Sequence, residues 1–299
     1  MVTGKTLARH GAVRRAVVGL GALGVAALAV VTAMAASTVT DRGLPDSNLN
    51  NAAGASRSNV SWSFGNTWMT GDDFTVGAAG EKWIVTSVTT WQTAGAPGAI
   101  AFGDRYADAS LFGGPANPGG VALIATGSLS AGSNVNSNAN ITHTPVAYAN
   151  LAEPNYQGSS GSQIQLWETK FSGIAWAVDG GVKNNFSVDG TVRPAVSYLW
   201  FNHASNAALS GTPQQGADGF FLGWDKSDLS APPFACDSGD AINCGGWDKS
   251  SDINVVVTAV QIATNADACK KDGWKTLVRA NGTSFKNQGD CVSYTKNGK

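Results

Sequence analysis

Hydrophobic and polar positions alternate with a period of two along most of the chain. The first runs are VSWSF (60–64), DDFTV (72–76) and KWIVTSVTTW (82–91), followed by ASLFG (109–113) and VALIATGS (121–128). QIQLWETKF (163–171), IAWAVD (174–179) and NFSVDG (185–190) lie in the middle, and AVSYLWFNH (195–203), GFFLGW (219–224) and INVVVTAVQIA (253–263) close the set. Side chains at i and i+2 share one face of a strand, and β-branched and aromatic residues fit a pleated, half-buried surface, so each run predicts a strand. Simple alternation in the third run places Trp83, Val85 and Ser87 on one face and Ile84, Thr86 and Val88 on the other. Turn formers fence the runs at Ala96-Pro97-Gly98, Gly113-Gly114-Pro115, Asn117-Pro118-Gly119-Gly120 and Asp179-Gly180-Gly181. No 12-residue window carries a capped helical stripe. Many short strands with Gly/Pro turns and long loops predict an all-β fold, a jelly-roll-like antiparallel β-sandwich.

The pattern also divides the chain. Residues 1–35 open on a basic stretch, continue through the apolar run AVVGLGALGVAALAVV (16–31) and end on Thr32-Ala33-Met34-Ala35-Ala36, with small residues where a signal peptidase needs them. Cleavage is expected after Ala35. The alternative, an uncleaved anchor, fits a run nearly long enough to span a bilayer, but no basic stop-transfer cluster follows. Residues 36–58 read as a flexible polar lead-in, 59–264 as the sandwich and 265–299 as a small appendage. The low-complexity stretches 129–140 and 203–217 read as surface loops.

Composition and charge sharpen this picture. Charged residues make up only 14% of the chain and Gly numbers 37, a balance that suits a turn-rich exported β protein. Residues 36–264 hold nine basic and 18 acidic side chains, a net of −9, whereas 265–299 hold seven Lys/Arg and three Asp, a net of +4. An acidic body argues against nucleic acid as its partner, and after leader removal no membrane contact is expected. The basic tail can meet an anionic polymer or its own body.

All four cysteines (Cys236, Cys244, Cys269 and Cys291) follow the leader. In an oxidising compartment an even count reads as two disulfides, and spacing favours Cys236–Cys244 and Cys269–Cys291 among three pairings. Zinc is the alternative, but no C-x-x-C pair is present, and His143 and His203, the two His beyond the leader, are remote.

Three constellations bear on function. Gly223-Trp224-Asp225-Lys226-Ser227-Asp228 is echoed by Gly246-Trp247-Asp248-Lys249-Ser250-Ser251-Asp252. The segment 223–252 between these ends carries six Asp and Asn243. Such oxygen ligands suit Ca²⁺, with Asp237, Asp240 and Asn243 the first choices, although the spacing is not that of an EF-hand and Asp also serves as a turn former. Trp224, Trp247 and Trp274 stand beside Gly and charged residues and are the candidate stacking surfaces for a sugar. The remaining tryptophans, Trp83 and Trp176 included, read as core. Catalysis has thin support. Gly158-Ser159-Ser160-Gly161-Ser162 is not a G-x-S-x-G elbow, and of Glu81, Glu153 and Glu168 only Glu168, on a predicted strand beside Trp167, suggests an acid.

Two stretches resemble known modules. Gly71-Asp72-Asp73-Phe74-Thr75-Val76, Trp83-Ile84-Val85-Thr86-Ser87-Val88, Ala109-Ser110-Leu111-Phe112 and Asn117-Pro118-Gly119-Gly120 resemble a β-sandwich module of secreted bacterial proteins across residues 60–128, which implies architecture and not activity. Cys269-Lys270-Lys271-Asp272-Gly273-Trp274 with Phe285-Lys286-Asn287-Gln288-Gly289-Asp290-Cys291-Val292-Ser293 resembles a C-terminal cassette of exported actinobacterial proteins across residues 267–299, with Asp272 where a Gly is common. The expectation is a secreted, non-catalytic β-sandwich that binds polysaccharide or a cell-wall polymer. An extracellular polysaccharide hydrolase and a self-assembling surface protein are the alternatives.

Overall fold

The structure, a computed structural model, describes residues 36–43, 60–64, 67–147, 164–193, 199–205, 221–236 and 252–298. Every described residue belongs to one compact unit, Val31–Lys299.

That unit is built from antiparallel strands in two packed sheets, as the alternating pattern predicts. One sheet runs in the order β1 (Ser37–Asp41), β14 (Val255–Ile262), β4 (Lys82–Pro97), β8 (Ile164–Asp179) and β7 (Ile141–Pro145). The other runs β6 (Ala122–Ser128), β5 (Asp108–Pro115), β9 (Lys183–Asp189), β3 (Trp68–Thr75), β11 (Phe221–Asp225) and β12 (Phe234–Cys236). β2 (Val60–Phe64) and β13 (Asp252–Ile253) pair with β10 (Leu199–Ser205), which touches β4 through Asn202 and Gln92. The chain crosses between sheets from β3 to β4, β4 to β5, β6 to β7 and β8 to β9, the interleaving of a jelly roll.

The interior is aromatic. A short helix, α1 (Phe102–Arg105), drops Phe102 among Tyr106, Trp167, Trp200 and His143, with the His143 ring stacked on Phe102 at 3.8 Å between centroids. Tyr106 donates its hydroxyl to Thr93 O at 2.8 Å, so this buried polar group is satisfied.

The alternation read for β4 fails at Thr86. Register shifts between Val85 and Ser87 against β8, where Ser87 opposes Ser172 and Val85 opposes Trp176. Gly173, Ile174 and Ala175 on β8 therefore face Thr86 alone, with Gly173 at φ +61°. Against β14, Ser87 and Val85 oppose the consecutive Thr258 and Ala259, so Thr86 is one extra residue on β4, and such a bulge reverses which residues point inward. Val88 and Phe171 are the inward pair on one side of it, Val85 and Trp176 on the other. The runs 163–171 and 174–179, read as two strands, are one strand with this bulge inside it.

The lead-in is also corrected. Residues 37–41 form β1, and Arg42 is 1% exposed. Its Nη1 donates to Asp72 Oδ2 at 2.8 Å and its Nη2 to Asp73 O at 2.6 Å, while Ile253 N donates to the same Asp72 oxygen at 2.6 Å. A buried charge persists only when paired and hydrogen-bonded, and here Arg42 and Asp72 serve each other. Residues 44–58 lie outside the described residues.

The appendage carries its own small core of Cys269, Leu277, Phe285 and Cys291 with Ala263. Cys269 and Cys291 form the expected disulfide. β15 (Leu277–Val278) runs parallel to the end of β14, and a helix not foreseen from the sequence, α2 (Gln288–Asn297), closes the cassette with Asn287 as its N-cap.

Candidate functional site

The strands end together at one mouth of the sandwich, where an open groove of about 730 Å³ lies. Lys82 and Ile262, at the ends of β4 and β14, and Asp179, at the end of β8, line it from the first sheet; Pro115 and Lys183, at the ends of β5 and β9, line it from the second. Ala280 of the cassette contributes as well. Two half-buried tryptophans, Trp83 and Trp176, form the aromatic lining.

Local sequence holds both rings. Trp83 donates its indole N–H to Glu81 Oε2 at 3.1 Å, and the same oxygen accepts from Ala78 N at 2.8 Å. Gly77 makes room for this arrangement: its φ is +57°, and a Cβ there would lie 2.3 Å from Trp83 Nε1. Trp176 meets Phe74 edge-on, at 5.4 Å and 83°. Trp83 opposes Val178, and Trp176 opposes Val85, so the two indoles are diagonal neighbours on one face of the β4–β8 pair. An indole fixed in this way presents a flat, electron-rich surface that needs no ordering when a ligand arrives. Around the rings stand the Lys82–Asp179 pair, Lys183 paired with Asp73, and exposed Asn117.

Sequence reasoning placed both tryptophans in the core, and both do pack against it; what it missed is that they also line the open strand end. The missed signal is a phase change: Trp167, Thr169 and Phe171 share one parity, Ile174, Trp176 and Val178 the other, with Gly173 between. A Gly at a parity switch inside a strand marks a bulge.

The candidates chosen from the sequence fare differently. Trp224 is corrected: it is 1% exposed, donates Nε1–H to Gly119 O at 3.0 Å and packs with Met69, Val121 and Leu222. The absent side chain of Gly71 admits its ring, since a Cβ there would lie 2.7 Å from Cζ3. It offers no face to a ligand. Trp274 is half-buried in the cassette, with Lys275 Nζ 5.8 Å from its ring centroid. Trp247, Asp237, Asp240, Asn243 and Cys244 lie outside the described residues, and so does the Cys236 side chain.

In the described parts of the Asp-rich segment, the acids serve structure. Asp225 Oδ1 accepts from Ser227 N and Oγ, and Asp228 Oδ1 from Ser230 N and Oγ. These bonds hold both carboxyl groups below their usual pKa, the serine hydroxyls contributing most. Among the described residues no three His, Cys, Asp or Glu side chains gather to hold a metal ion.

The acid–base candidates remain apart. Glu168 opposes Trp91 on β4, and the Asn202–Gln92 pairing sets His203 beyond Trp91, about two strand spacings (~10 Å) from Glu168. His203 is buried and bonded through Nδ1 to Asn254 Oδ1 at 2.9 Å. His143 is also buried. Its Nε2 faces Asn136 Nδ2 at 3.2 Å, a donor, so Nε2 accepts and Nδ1 carries the proton toward Thr169 Oγ1 at 3.0 Å. Burial lowers its pKa to about 4. Comparison with protein-family models, with curated proteins and with solved structures finds no match to this chain.

Proposed function

We propose that the protein is an exported, non-catalytic β-sandwich module that binds polysaccharide through the groove of Trp83 and Trp176. The observation that carries this reading is the pair of indoles held on one face at an open strand end. The axial C–H groups of a pyranose face carry slight positive charge and stack on the negative face of an indole, and nearby Lys, Asp and Asn side chains match sugar hydroxyls. The basic, apolar leader and the disulfide-closed cassette support an extracellular setting, where thiols oxidise. Support for binding over catalysis comes from the backbones of Glu168 and His203, which stand on opposite sides of β4 about 10 Å apart, with His203 bonded instead to Asn254.

The test is retention of the purified protein on insoluble polysaccharides and bacterial wall sacculi, with Trp83→Ala and Trp176→Ala beside it. Retention by the wild type and its loss in both variants is expected, with circular dichroism and melting used to verify that each variant is folded. Should Trp83→Phe and Trp176→Phe, which keep packing volume closer to native, bind as poorly as a non-binding control while the wild type is also not retained, the groove is not a glycan site.

A further inference from the structure

The charges at the groove identify the kind of glycan it accepts. Two cations line it, a third is next in sequence to a lining residue, and each is matched by its own carboxylate. Lys82 pairs with Asp179 across the β4–β8 pair. Lys183 Nζ lies 2.9 Å from Asp73 Oδ2, and that carboxylate is almost wholly buried, so the ammonium is held from below. Arg279, the neighbour of groove-lining Ala280, bonds both oxygens of Asp290 at 2.7 Å. Glu81, which fixes the Trp83 indole, has no cationic partner among the described residues.

A uronate or phosphate polymer entering this groove would shed hydration without meeting an uncompensated cation, and it would lie against Asp179. Like charges brought together at the partly desolvated mouth of a protein repel, and the net −9 of residues 36–264 adds to that field. A neutral chain bears neither cost. Its hydroxyls accept from the Lys82 and Lys183 ammonium groups and donate to Asp179, while the existing ion pairs stay intact. The aromatic geometry narrows the class further. Diagonal neighbours on one strand pair lie about 7–8 Å apart, so both indoles reach the groove from adjacent positions. Two indoles so spaced suit a chain whose flat C–H faces run on from one ring to the next, as they do when the linkages are equatorial.

From this charge matching and the two neighbouring indoles we infer that the groove selects neutral, equatorially linked pyranose chains over acidic polysaccharides and phosphate-bearing wall polymers. The inference rests on the glycan-binding reading above and specifies its ligand.

The test titrates the purified full chain, followed by tryptophan fluorescence, with cellohexaose, chitohexaose and hexagalacturonate at low and high salt. Binding of at least one neutral chain is expected, with a Kd insensitive to salt and about tenfold or more tighter than for hexagalacturonate. Asp179→Asn leaves Lys82 without its partner, so this variant gains affinity for hexagalacturonate, and the gain disappears in high salt. If the wild type binds hexagalacturonate as tightly as the neutral chains, the selectivity is wrong although the groove still binds glycans. If Asp179→Asn gains nothing, charge matching is not its cause, and if no chain perturbs the fluorescence, this inference falls together with the glycan reading.

Discussion

The ring of Trp176 fills the space that a side chain on Gly113 would occupy: a Cβ there would lie 2.6 Å from Cζ2 and 2.7 Å from Cη2 of the indole. Gly113 is on β5 and Trp176 on β8, so this contact ties the two sheets together beside the groove-lining Trp176. Gly113→Ala is expected to force the indole outward or the sheets apart, at a cost of about 1–3 kcal/mol for an overpacked site. Chemical denaturation measures the loss, and glycan retention should fall more than the folded fraction does. An unchanged midpoint with unchanged retention would mean that the ring does not depend on this cradle.

The sequence made most strands visible because each buries one face, and burial writes a period of two into the residues. What it hid has separate physical causes. β1 is Ser-Thr-Val-Thr-Asp, polar on nearly every position, and owes its place to pairing with β14 and to Arg42. α2 buries only Cys291, so no apolar stripe announces it. Trp224 stands beside Gly223 and Asp225, which suggests exposure, yet its burial is decided by Gly71 and Gly119, over a hundred positions away in sequence. The cassette disulfide was legible from spacing alone. The turn of Trp176 onto the inner face was legible only as a change of parity at Gly173, which has meaning once one knows that residues 164–179 form a single strand.

The buried Arg42–Asp72 pair predicts that the first strand is integral to the fold. Arg42→Ala leaves Asp72 without its cation at the centre of the protein, where removal of one partner costs about 3–5 kcal/mol. Arg42→Met with Asp72→Asn removes both charges and should recover part of that loss, because neither group is then left unpaired. Equilibrium unfolding of the wild type, both singles and the double gives the coupling. Strict additivity would show that the two side chains do not depend on each other.

His143 predicts an acid limb to stability. Its folded pKa of about 4 lies below that of an exposed histidine, near 6.5, because burial disfavours the charged ring. Protonation would also turn Nε2 from an acceptor into a donor facing the Asn136 amide. The neutral ring therefore supports the fold fully above about pH 6.5, and that contribution declines as pH falls from about 6.5 through about 4, by about 3 kcal/mol in all. His143→Gln keeps hydrogen-bonding capacity and does not titrate. The wild type should thus lose stability relative to this variant between pH 7 and pH 4. A constant difference across that range would contradict the assignment.

The Cys269–Cys291 bridge predicts a unit that loosens by itself. Its partners are separated by 22 residues, and closing a loop of that length restricts the unfolded chain by about 3 kcal/mol. The cassette has little else to set against its own chain entropy: Leu277, Val278 and Phe285 are its buried apolar side chains besides the cysteines, and β15 pairs with β14 through two residues only. Cys269→Ser with Cys291→Ser should therefore abolish slow amide exchange across residues 266–298 while β4 and β8 retain their protection, since Val278, packed on Ile84 and Val260, is the one buried cassette side chain clustered with β4. The groove should respond through Ala280 alone, with glycan affinity weakened but not lost. Protection that survived in the cassette would place its stability in the pairing with β14, and loss of protection throughout would make the cassette part of the sandwich core.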